Sequence, residues 1–290
     1  MLIVPVDSGV QLERQAAEDN GSLIHFNQSV DFILRDSLLL NINASTLETI
    51  MWFEGLRSVT IKGLTSTGCS SLSAVLSMQN CTSQVQVSRS RFGNSTTGAI
   101  VLEKNAAIVS HSTFALLAQV KAGVAINVEN DDGSPFTLTN CTFKDILAVS
   151  SSKKQFYGGP ITAFSSQITN SQSHFTNCSA WQGGAVKLYS EKLLNGSWPT
   201  KLVAKIDLCM FDSNLANSSG GALSFYGSSG FVSDTMIVTR STFDNNHVVY
   251  GGAIYTTAIG YADIEACTFH NNIAYQGTGG AVYLDGLFQW

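Results

Sequence analysis

A three-part unit that recurs along the chain constrains its fold more than any other feature. Each unit begins with a short alternating stretch that ends in a Phe. An Asn-containing stretch follows, and then a Gly-Gly-Ala-hydrophobic segment. A unit repeated in a fixed order indicates stacked supersecondary structures, so the sequence predicts a solenoid. The Phe anchors are Phe92, Phe114, Phe143, Phe175, Phe211, Phe243 and Phe269.

The stretch before each anchor alternates in steps of two. A Ser or Cys stands two positions before every Phe, and the residue five positions before it is hydrophobic except at Asn170. The alternation shifts phase at a polar pair such as Thr139-Asn140 and then resumes. Because side chains alternate across a strand, this pattern predicts two short strands joined by a tight polar bend. The Ser/Cys positions are Ser90, Ser112, Cys141, Ser173, Cys209, Ser241 and Cys267.

The Asn and Gly segments predict the corners of a coil. A Phe-x-x-Asn motif ends at Asn214, Asn246 and Asn272. Gly takes backbone angles that other residues avoid and Asn tolerates the left-handed region, so we expect both at corners. The Gly-Gly pairs are Gly183 and Gly184, Gly220 and Gly221, Gly251 and Gly252, and Gly279 and Gly280, with weaker copies of the segment at Gly98, Gly123 and Gly158.

The irregular repeat length favours a coil whose corners accept insertions. Successive anchors lie between 22 residues (Phe92 to Phe114) and 36 residues (Phe175 to Phe211) apart. Leucine-rich repeats are excluded because their Leu-spaced consensus is absent. A β-propeller is excluded because one blade needs about 40 residues, more than the spacings found here. We predict an all-β protein, a right-handed parallel β-helix forming a single elongated domain. Residues 1–83 are expected to form irregular N-terminal coils or a cap, and residues 84–290 the β-helix repeats, truncated at the C-terminus.

The charge composition argues against one class of partner. Charged residues make up 13% of the chain, the net charge is −5, and no run of Lys or Arg occurs. Clustered cations bind a phosphate backbone, so we expect no nucleic-acid partner. No apolar run is long enough to span a bilayer. The apolar start from Met1 to Val6 is too short for a signal peptide, so we expect any targeting segment to lie outside this sequence.

The pairing of Phe-x-x-Asn with Gly-Gly-Ala-hydrophobic resembles the repeats of the chlamydial polymorphic outer membrane proteins and of pectin-lyase-like β-helix surface proteins. The resemblance covers about residues 84–284 and is strongest at FDSN…GGAL, FDNN…GGAI and FHNN…GGAV. It implies an extracellular or cell-surface protein with a non-catalytic structural or adhesive function. The ligand it implies is an unidentified partner on another surface, either protein or glycan.

Nine Asn-x-Ser/Thr sequons favour a glycosylated extracellular protein. Asn140 and Asn177 lie within or beside predicted strands, where a sequon can stay unused. The remaining candidates for glycosylation are Asn20, Asn27, Asn43, Asn80, Asn94, Asn195 and Asn217.

Three of the six cysteines, Cys141, Cys209 and Cys267, occupy the Ser/Cys position and are separated by units that carry Ser. With strands about 4.8 Å apart, their sulfurs would lie about 10 Å apart, too far for a disulfide. We interpret them as small buried packing residues. Cys69 and Cys81 are candidates for a disulfide, and Cys178 is unassigned. No CxxC or HxxxH spacing occurs, so we expect neither a metal nor a cofactor.

A carbohydrate-active enzyme, either a polysaccharide lyase or a glycoside hydrolase, is the alternative function. Such sites need two or three converging carboxylates. The acidic cluster from Glu129 to Gly133 is interpreted as a solvated turn, and no catalytic residue is assigned. The histidines are interpreted as outward stacked side chains; they are His25, His111, His174, His247 and His270.

Exposed aromatic residues raise one more hypothesis. One interpretation is weak glycan binding along Tyr250, Tyr255, Tyr275 and Trp181. The alternative is that these residues only fill the corners beside Gly-Gly-Ala.

Overall fold

The chain forms a parallel β-helix, as the repeat predicts. A computed structural model describes residues 2–3, 11–13, 22–27, 30–119, 124–148, 158–164, 167–190, 201–227, 234–277 and 279–286. The described residues form strands and turns and contain no helix. All strand pairs are parallel, and the chain visits sheets 1, 2 and 3 in turn before it returns to sheet 1 one coil further on. The inward side chains of each coil pack against those of the coils stacked above and below it, so the core needs no second domain to cover it.

Among the described residues, sheet 1 contains ten strands. They are Leu2–Ile3, Asp31–Arg35, Ser58–Lys62, Gln84–Ser88, Ala106–Ser110, Pro135–Thr139, Gln167–Ser171, Val203–Asp207, Thr235–Thr239 and Tyr261–Glu265.

Sheet 2 is bent, and most coils cross it with two short strands. Before the bend the strands are Gln11–Glu13, Leu38–Leu40, Thr65–Thr67, Arg91–Ser95, Thr142–Lys144, His174–Thr176, Met210–Asp212, Thr242–Asp244 and Thr268–His270. After it they are Leu147–Ala148, Ser179–Gln182, Leu215–Ser219, His247–Tyr250 and Ile273–Ala274, while Thr113–Gln119 spans both parts. Asn43–Ala44 and Ser70–Ser71 pair with each other after the bend in the earlier coils.

In the part of the chain that the structure describes, sheet 3 also contains ten strands, and we number the coils from 1 to 10 by them. In that order they are Ser22–Asn27, Thr49–Glu54, Ala74–Gln79, Gly98–Glu103, Ile126–Glu129, Ile161–Phe164, Val186–Tyr189, Leu223–Tyr226, Ile254–Thr257 and Val282–Asp285.

The Phe anchors form one continuous stack in the interior of sheet 2. Neighbouring anchors are paired across the strands, as Phe143 is with Phe175. Their ring centroids are 4.6 Å apart and the ring planes differ by 4°. The rest of the stack has the same parallel geometry, up to a centroid distance of 5.2 Å between Phe92 and Phe114. The anchors therefore form an in-register ladder of Phe on Phe, which is fully buried from Phe92 to Phe243.

The polar pair before each anchor forms the corner between sheets 1 and 2. Its second residue takes a left-handed conformation, with φ of 51° at Asn140 and 51° at Ala266. This turn explains the shift of phase in the alternation, because one left-handed residue redirects the chain without adding a loop. The prediction of two strands joined by a tight bend is confirmed.

The Asn of the Phe-x-x-Asn motif lies at the bend in sheet 2, but it is not the left-handed residue of that bend. The left-handed conformation belongs to the residue before it: φ is 55° at Ser213, 51° at Asn245 and 50° at Asn271. Asn214 and Asn246 instead point inward and are buried. Backbone tolerance favours an Asn at a corner, and the hydrogen bonds of its side chain decide which position of the corner it takes.

The inward Asn side chains form a ladder between coils. The Oδ1 atom of Asn246 accepts from the backbone N–H of Asn214 at 3.1 Å, and its Nδ2 donates to the Phe211 carbonyl at 3.0 Å. Asn272 repeats both bonds one coil later, with Asn246 and Phe243. A buried backbone group without a partner is costly, and the amides supply partners where the bend interrupts the strand ladder.

The Ser/Cys positions form a second ladder, which is more polar than the sequence suggested. The backbone N–H of Cys209 donates to the Ser241 hydroxyl at 3.1 Å. That hydroxyl donates in turn to the Thr239 carbonyl at 2.8 Å. The Cys209 thiol donates to the carbonyl of Asp207 at 3.3 Å and of Asn170 at 3.5 Å. These cysteines are therefore weak hydrogen-bond donors at a corner as well as packing residues.

The N-terminal coils join the same sheets as the later repeats. Strand Ser58–Lys62 pairs with Gln84–Ser88 in sheet 1, Thr65–Thr67 with Arg91–Ser95 in sheet 2, and Ala74–Gln79 with Gly98–Glu103 in sheet 3. All three sheets therefore continue across residue 83. The weaker Gly segments also stack in register, since Ile100 pairs with Ile126. Gly123 lies outside the described residues.

Candidate functional site

The outward face of sheet 3 carries aromatic and cationic side chains in its later coils. One outward column runs from Lys187 through Ser224 and Tyr255 to Tyr283. The Lys187 ammonium is buried and lies 5.0 Å from the centre of the Tyr189 ring. A column of this kind is set by strand register alone, because each coil places the same position on the same face.

In coil 8 the corner beside this column is filled. The Tyr226 hydroxyl hydrogen bonds to the Ser219 hydroxyl, and the Ser224 hydroxyl donates to the Ser219 carbonyl at 2.6 Å. Burial raises the pKa of the Tyr226 phenol to about 12. The two small serines, both buried, leave room for the tyrosine to bond back across the corner.

In coil 9 the same two positions are tyrosines, Thr257 takes the place of Tyr226, and the corner is open. Strand pairing places Tyr250 at the position of Ser219, and Tyr255 at the position of Ser224. A pocket of about 330 Å³ lies here, lined by Tyr250, Gly251, Tyr255, Gly277 and Tyr283. Its size falls within the range of about 300–1,000 Å³ that is usual for small-molecule sites.

Two glycines hold the tyrosine rings close to the backbone. A Cβ atom on Gly251, whose φ is 75°, would lie 2.4 Å from Cδ2 of Tyr255. A Cβ atom on Gly277 would lie 2.8 Å from Cδ1 of Tyr250. Larger residues at these positions would displace the rings, so the glycines fix the shape of the pocket.

The pocket is lined by uncharged groups. The Tyr255 and Tyr283 rings stack in parallel, with centroids 5.1 Å apart and planes 6° apart. Burial, with smaller contributions from Tyr283 and Asp285, raises the pKa of the Tyr255 phenol. This phenol is therefore neutral at physiological pH and can both donate and accept hydrogen bonds.

The other aromatic residues singled out in the sequence lie outside the pocket lining. Tyr275 is 61% exposed, and its hydroxyl is 2.9 Å from Nδ1 of His247. Trp181 is half-buried in the strand Ser179–Gln182. Tyr283 was missed by sequence reasoning, although its place one repeat after Tyr255 carried the signal.

A second cluster, of carboxylates, lies on sheet 3 in the earlier coils. Strand register aligns Glu54 and Glu103 on either side of Gln79, and then Glu129 beside Glu103. Burial, followed by the charge of Glu129, raises the pKa of the Glu103 carboxyl. Like charges on neighbouring coils repel, and protonation relieves the repulsion. Sequence reasoning passed over Glu54 and Glu103 because they lie far apart in the chain.

The acidic segment Glu129–Gly133 forms a turn whose polar side chains are hydrogen bonded or ion-paired with neighbouring residues. The Asp132 carboxylate accepts from the backbone N–H and the hydroxyl of Ser134, at 3.0 and 2.8 Å. Asn130 is buried and accepts from the Asn105 N–H at 3.1 Å. Asp131 lies 3.9 Å from the Lys104 ammonium.

The five histidines are on or near the outer surface. His270 pairs with Asp244 across neighbouring coils, with Nδ1 2.8 Å from Oδ1. His111 is exposed in a left-handed corner, and His174 is exposed on the outward face of sheet 2. Among the described residues, no group of three or more His, Cys, Asp or Glu side chains is arranged to hold a metal ion.

Every described sequon has its Asn on the surface. Asn140 and Asn177, placed in or beside strands by the sequence, occupy exposed left-handed corners like Asn80 and Asn94. Asn20 and Asn195 lie outside the described residues. The other exposed sites are Asn27, Asn43 and Asn217. Whether these sites carry glycans stays a prediction.

The candidate disulfide is not formed in this structure. Cys69 and Cys81 are both free and buried, and they lie at two different corners of the coil. The Cys69 thiol is 3.4 Å from the Ser66 hydroxyl, while the Cys81 thiol is 3.8 Å from the Gln79 carbonyl. Cys178 is also free, and burial raises the pKa of its thiol to about 12.

A comparison with known families matches one coil of the chain. Residues 240–257 match the repeat of the Chlamydia polymorphic membrane proteins. These residues run from the first corner of coil 9 to the end of its sheet 3 strand, and they include Phe243, Asn246 and Tyr250. No curated protein and no solved structure matches the chain. The described residues include no helix with the length and hydrophobicity to cross a membrane.

Proposed function

We propose that this protein is a non-catalytic cell-surface repeat protein whose β-helix rod presents side chains for adhesion. The observation that carries the proposal is the match of coil 9 to a repeat found in a family of membrane proteins. The ligand we propose is a protein or glycan on another surface. The surface sequons would suit such a location.

The division of inward and outward side chains supports an adhesive function. Inward positions keep one residue type from coil to coil, as Phe211 and Phe243 do in the buried stack. The outward column of sheet 3 changes from the buried Lys187 and Ser224 to the partly exposed Tyr255. A fold maintained from inside leaves its outer face free to carry recognition.

Attachment of coated beads tests the proposal. Beads carrying the purified protein should attach to at least one of a panel of cultured cell types more than beads carrying albumin. Heat-unfolded protein on matched beads controls for general stickiness. Antibodies against the protein should also label intact cells of the organism that makes it. Attachment no greater than that of albumin, or labelling only after permeabilisation, would contradict the proposal.

The carboxylate cluster favours a second candidate, a carbohydrate-active enzyme. A glycosidase acid needs a raised pKa and a second carboxyl group close by, and Glu103, with Glu129 beside it on the next coil, has that arrangement. Release of reducing ends or unsaturated products from neutral and acidic polysaccharides would reveal such activity. Loss of that turnover in Glu103→Gln, with turnover kept in Asp132→Asn, would replace the adhesive function with catalysis.

A further inference from the structure

We infer that the pocket lined by Tyr250, Gly251, Tyr255, Gly277 and Tyr283 is a binding subsite for one neutral sugar ring. The inference deepens the proposed adhesive function and rests on it, because it names a chemical class of ligand for the displayed surface. The supporting observations are the origin of the pocket, its lack of charge and the arrangement of its rings.

Coil 9 departs from coil 8 at three positions beside the pocket: Tyr250 replaces Ser219, Tyr255 replaces Ser224, and Thr257 replaces Tyr226. In coil 8 the Tyr226 hydroxyl bonds to the Ser219 hydroxyl, and the Ser224 hydroxyl bonds to the Ser219 carbonyl. Tyr250 and Tyr255 take the two serine positions in coil 9, and the corner stays open. Thr257 is too short to reach back over the corner as Tyr226 does, and the tyrosine rings line the space that remains.

The lining suits a ligand that has both apolar and hydroxyl surfaces. Tyr250 is 49% exposed and offers an aromatic surface at the edge of the pocket. A tyrosine combines an apolar ring with a hydroxyl that exchanges hydrogen bonds. A pyranose has the complementary chemistry, with C–H groups on its faces and hydroxyls around its rim.

Charge and ring geometry disfavour ionic ligands. Asp285 acts on the Tyr255 phenol and raises its pKa, so its negative charge would also oppose an anionic ligand such as a sugar acid. A cation held in an aromatic cage needs several ring faces turned toward one point. The parallel stack of Tyr255 on Tyr283 turns those two faces toward each other instead.

Saturation-transfer NMR with simple glycosides tests the subsite. The probes are the methyl glycosides of glucose, galactose, mannose and N-acetylglucosamine, with glucuronate and choline as charged comparisons. At least one neutral glycoside should receive saturation from the intact chain, and neither charged probe should bind better. Transfer to none of the four glycosides, or stronger binding of choline, would overturn the inference.

Two variants locate the binding. Tyr250→Ser gives coil 9 the residue of coil 8 and should weaken glycoside binding by about tenfold or more. Tyr261→Ser is the matched control, because Tyr261 is 50% exposed but lies on sheet 1. Tyr255→Phe keeps the ring and removes the hydroxyl, so it should weaken binding less than Tyr250→Ser. Equal binding by wild type and Tyr250→Ser, with both folded by circular dichroism, would contradict the subsite.

Bead attachment separates this inference from the adhesive function. If Tyr250→Ser loses glycoside binding and bead attachment together, both proposals are supported. If it loses only glycoside binding, the sugar subsite stands and adhesion depends on another surface. If wild-type beads never attach while glycosides bind at Tyr250, the adhesive function fails and the subsite remains.

Discussion

The side chain of Asn246 is hydrogen bonded to the backbone of Asn214, its counterpart in the preceding coil, with Oδ1 accepting the Asn214 N–H at 3.1 Å. The same oxygen accepts from Nδ2 of Asn214 at 2.9 Å. Asn246 is completely buried. One amide therefore serves two coils at a bend where the regular strand ladder is interrupted.

Replacing Asn246 with Ala should destabilise the protein by about 1–3 kcal/mol for each buried group left without a partner. The groups affected are the Asn214 N–H and the Phe211 carbonyl. Urea unfolding followed by circular dichroism measures the loss. Asn217→Ala is the control, because Asn217 is exposed in the strand just after the bend, and its effect should stay within about 0.5 kcal/mol. Equal effects of the two variants would show that the Asn ladder contributes little.

Replacing Asn170 with Leu should stabilise the protein by about 1–3 kcal/mol. Asn170 is 3% exposed, and neither atom of its side-chain amide finds a hydrogen-bond partner among the described residues. Its neighbours in the column are Leu138 and Ile206. A leucine would fill the same space without a buried polar group. The melting temperature should rise in Asn170→Leu and change little in the exposed control Thr169→Val; a fall in Asn170→Leu would show that the amide is satisfied in solution.

The cysteines should resist alkylation in the folded protein. Burial raises the pKa of the Cys209 and Cys178 thiols to about 12, so little thiolate forms at neutral pH. Cys267 is only partly buried and should react first. Mass spectrometry after iodoacetamide treatment, with and without denaturant, gives the order. Rapid native labelling of Cys209, or a disulfide between Cys209 and Cys267, would contradict the in-register ladder.

The stability of the protein should fall as the pH rises through the titration of Glu103. Burial and Glu129 raise the pKa of Glu103 in the folded state, so the folded protein holds this proton more tightly than the unfolded chain does. The stabilisation is therefore complete below the ordinary Glu pKa of about 4.3 and lost above the raised folded value. Glu103→Gln should flatten this part of the curve of melting temperature against pH. The exposed control Glu265→Gln should leave it in place, and an unchanged curve in Glu103→Gln would assign the dependence to another group.

The sequence by itself determined the fold class, the two short strands on either side of the bend before each anchor, and the recurring Phe position. The reason is physical: every coil places the same position at the same point, so a preference at Phe143 is repeated at Phe175 and becomes visible as a pattern. The bend before each anchor was visible for the same reason, through the change of phase at Asn140.

The inner role of the Phe-x-x-Asn motif required the tertiary structure. Backbone propensity favours Asn at a left-handed corner, but Asn245 takes that place and Asn246 turns inward. The hydrogen bonds that hold the Asn side chain inward join residues that are 32 positions apart in the chain, so no local sequence signal reports them.

The pocket and the carboxylate cluster were also decided by the stacking of coils. Tyr250 and Tyr283 belong to different coils, and Glu54 and Glu103 are separated by a whole coil that carries Gln79. A repeat shows which residues face outward, because that follows from strand alternation. Which outward residues enclose a space or share a charge depends on the size of the neighbours one coil away, and only the folded rod brings those neighbours together.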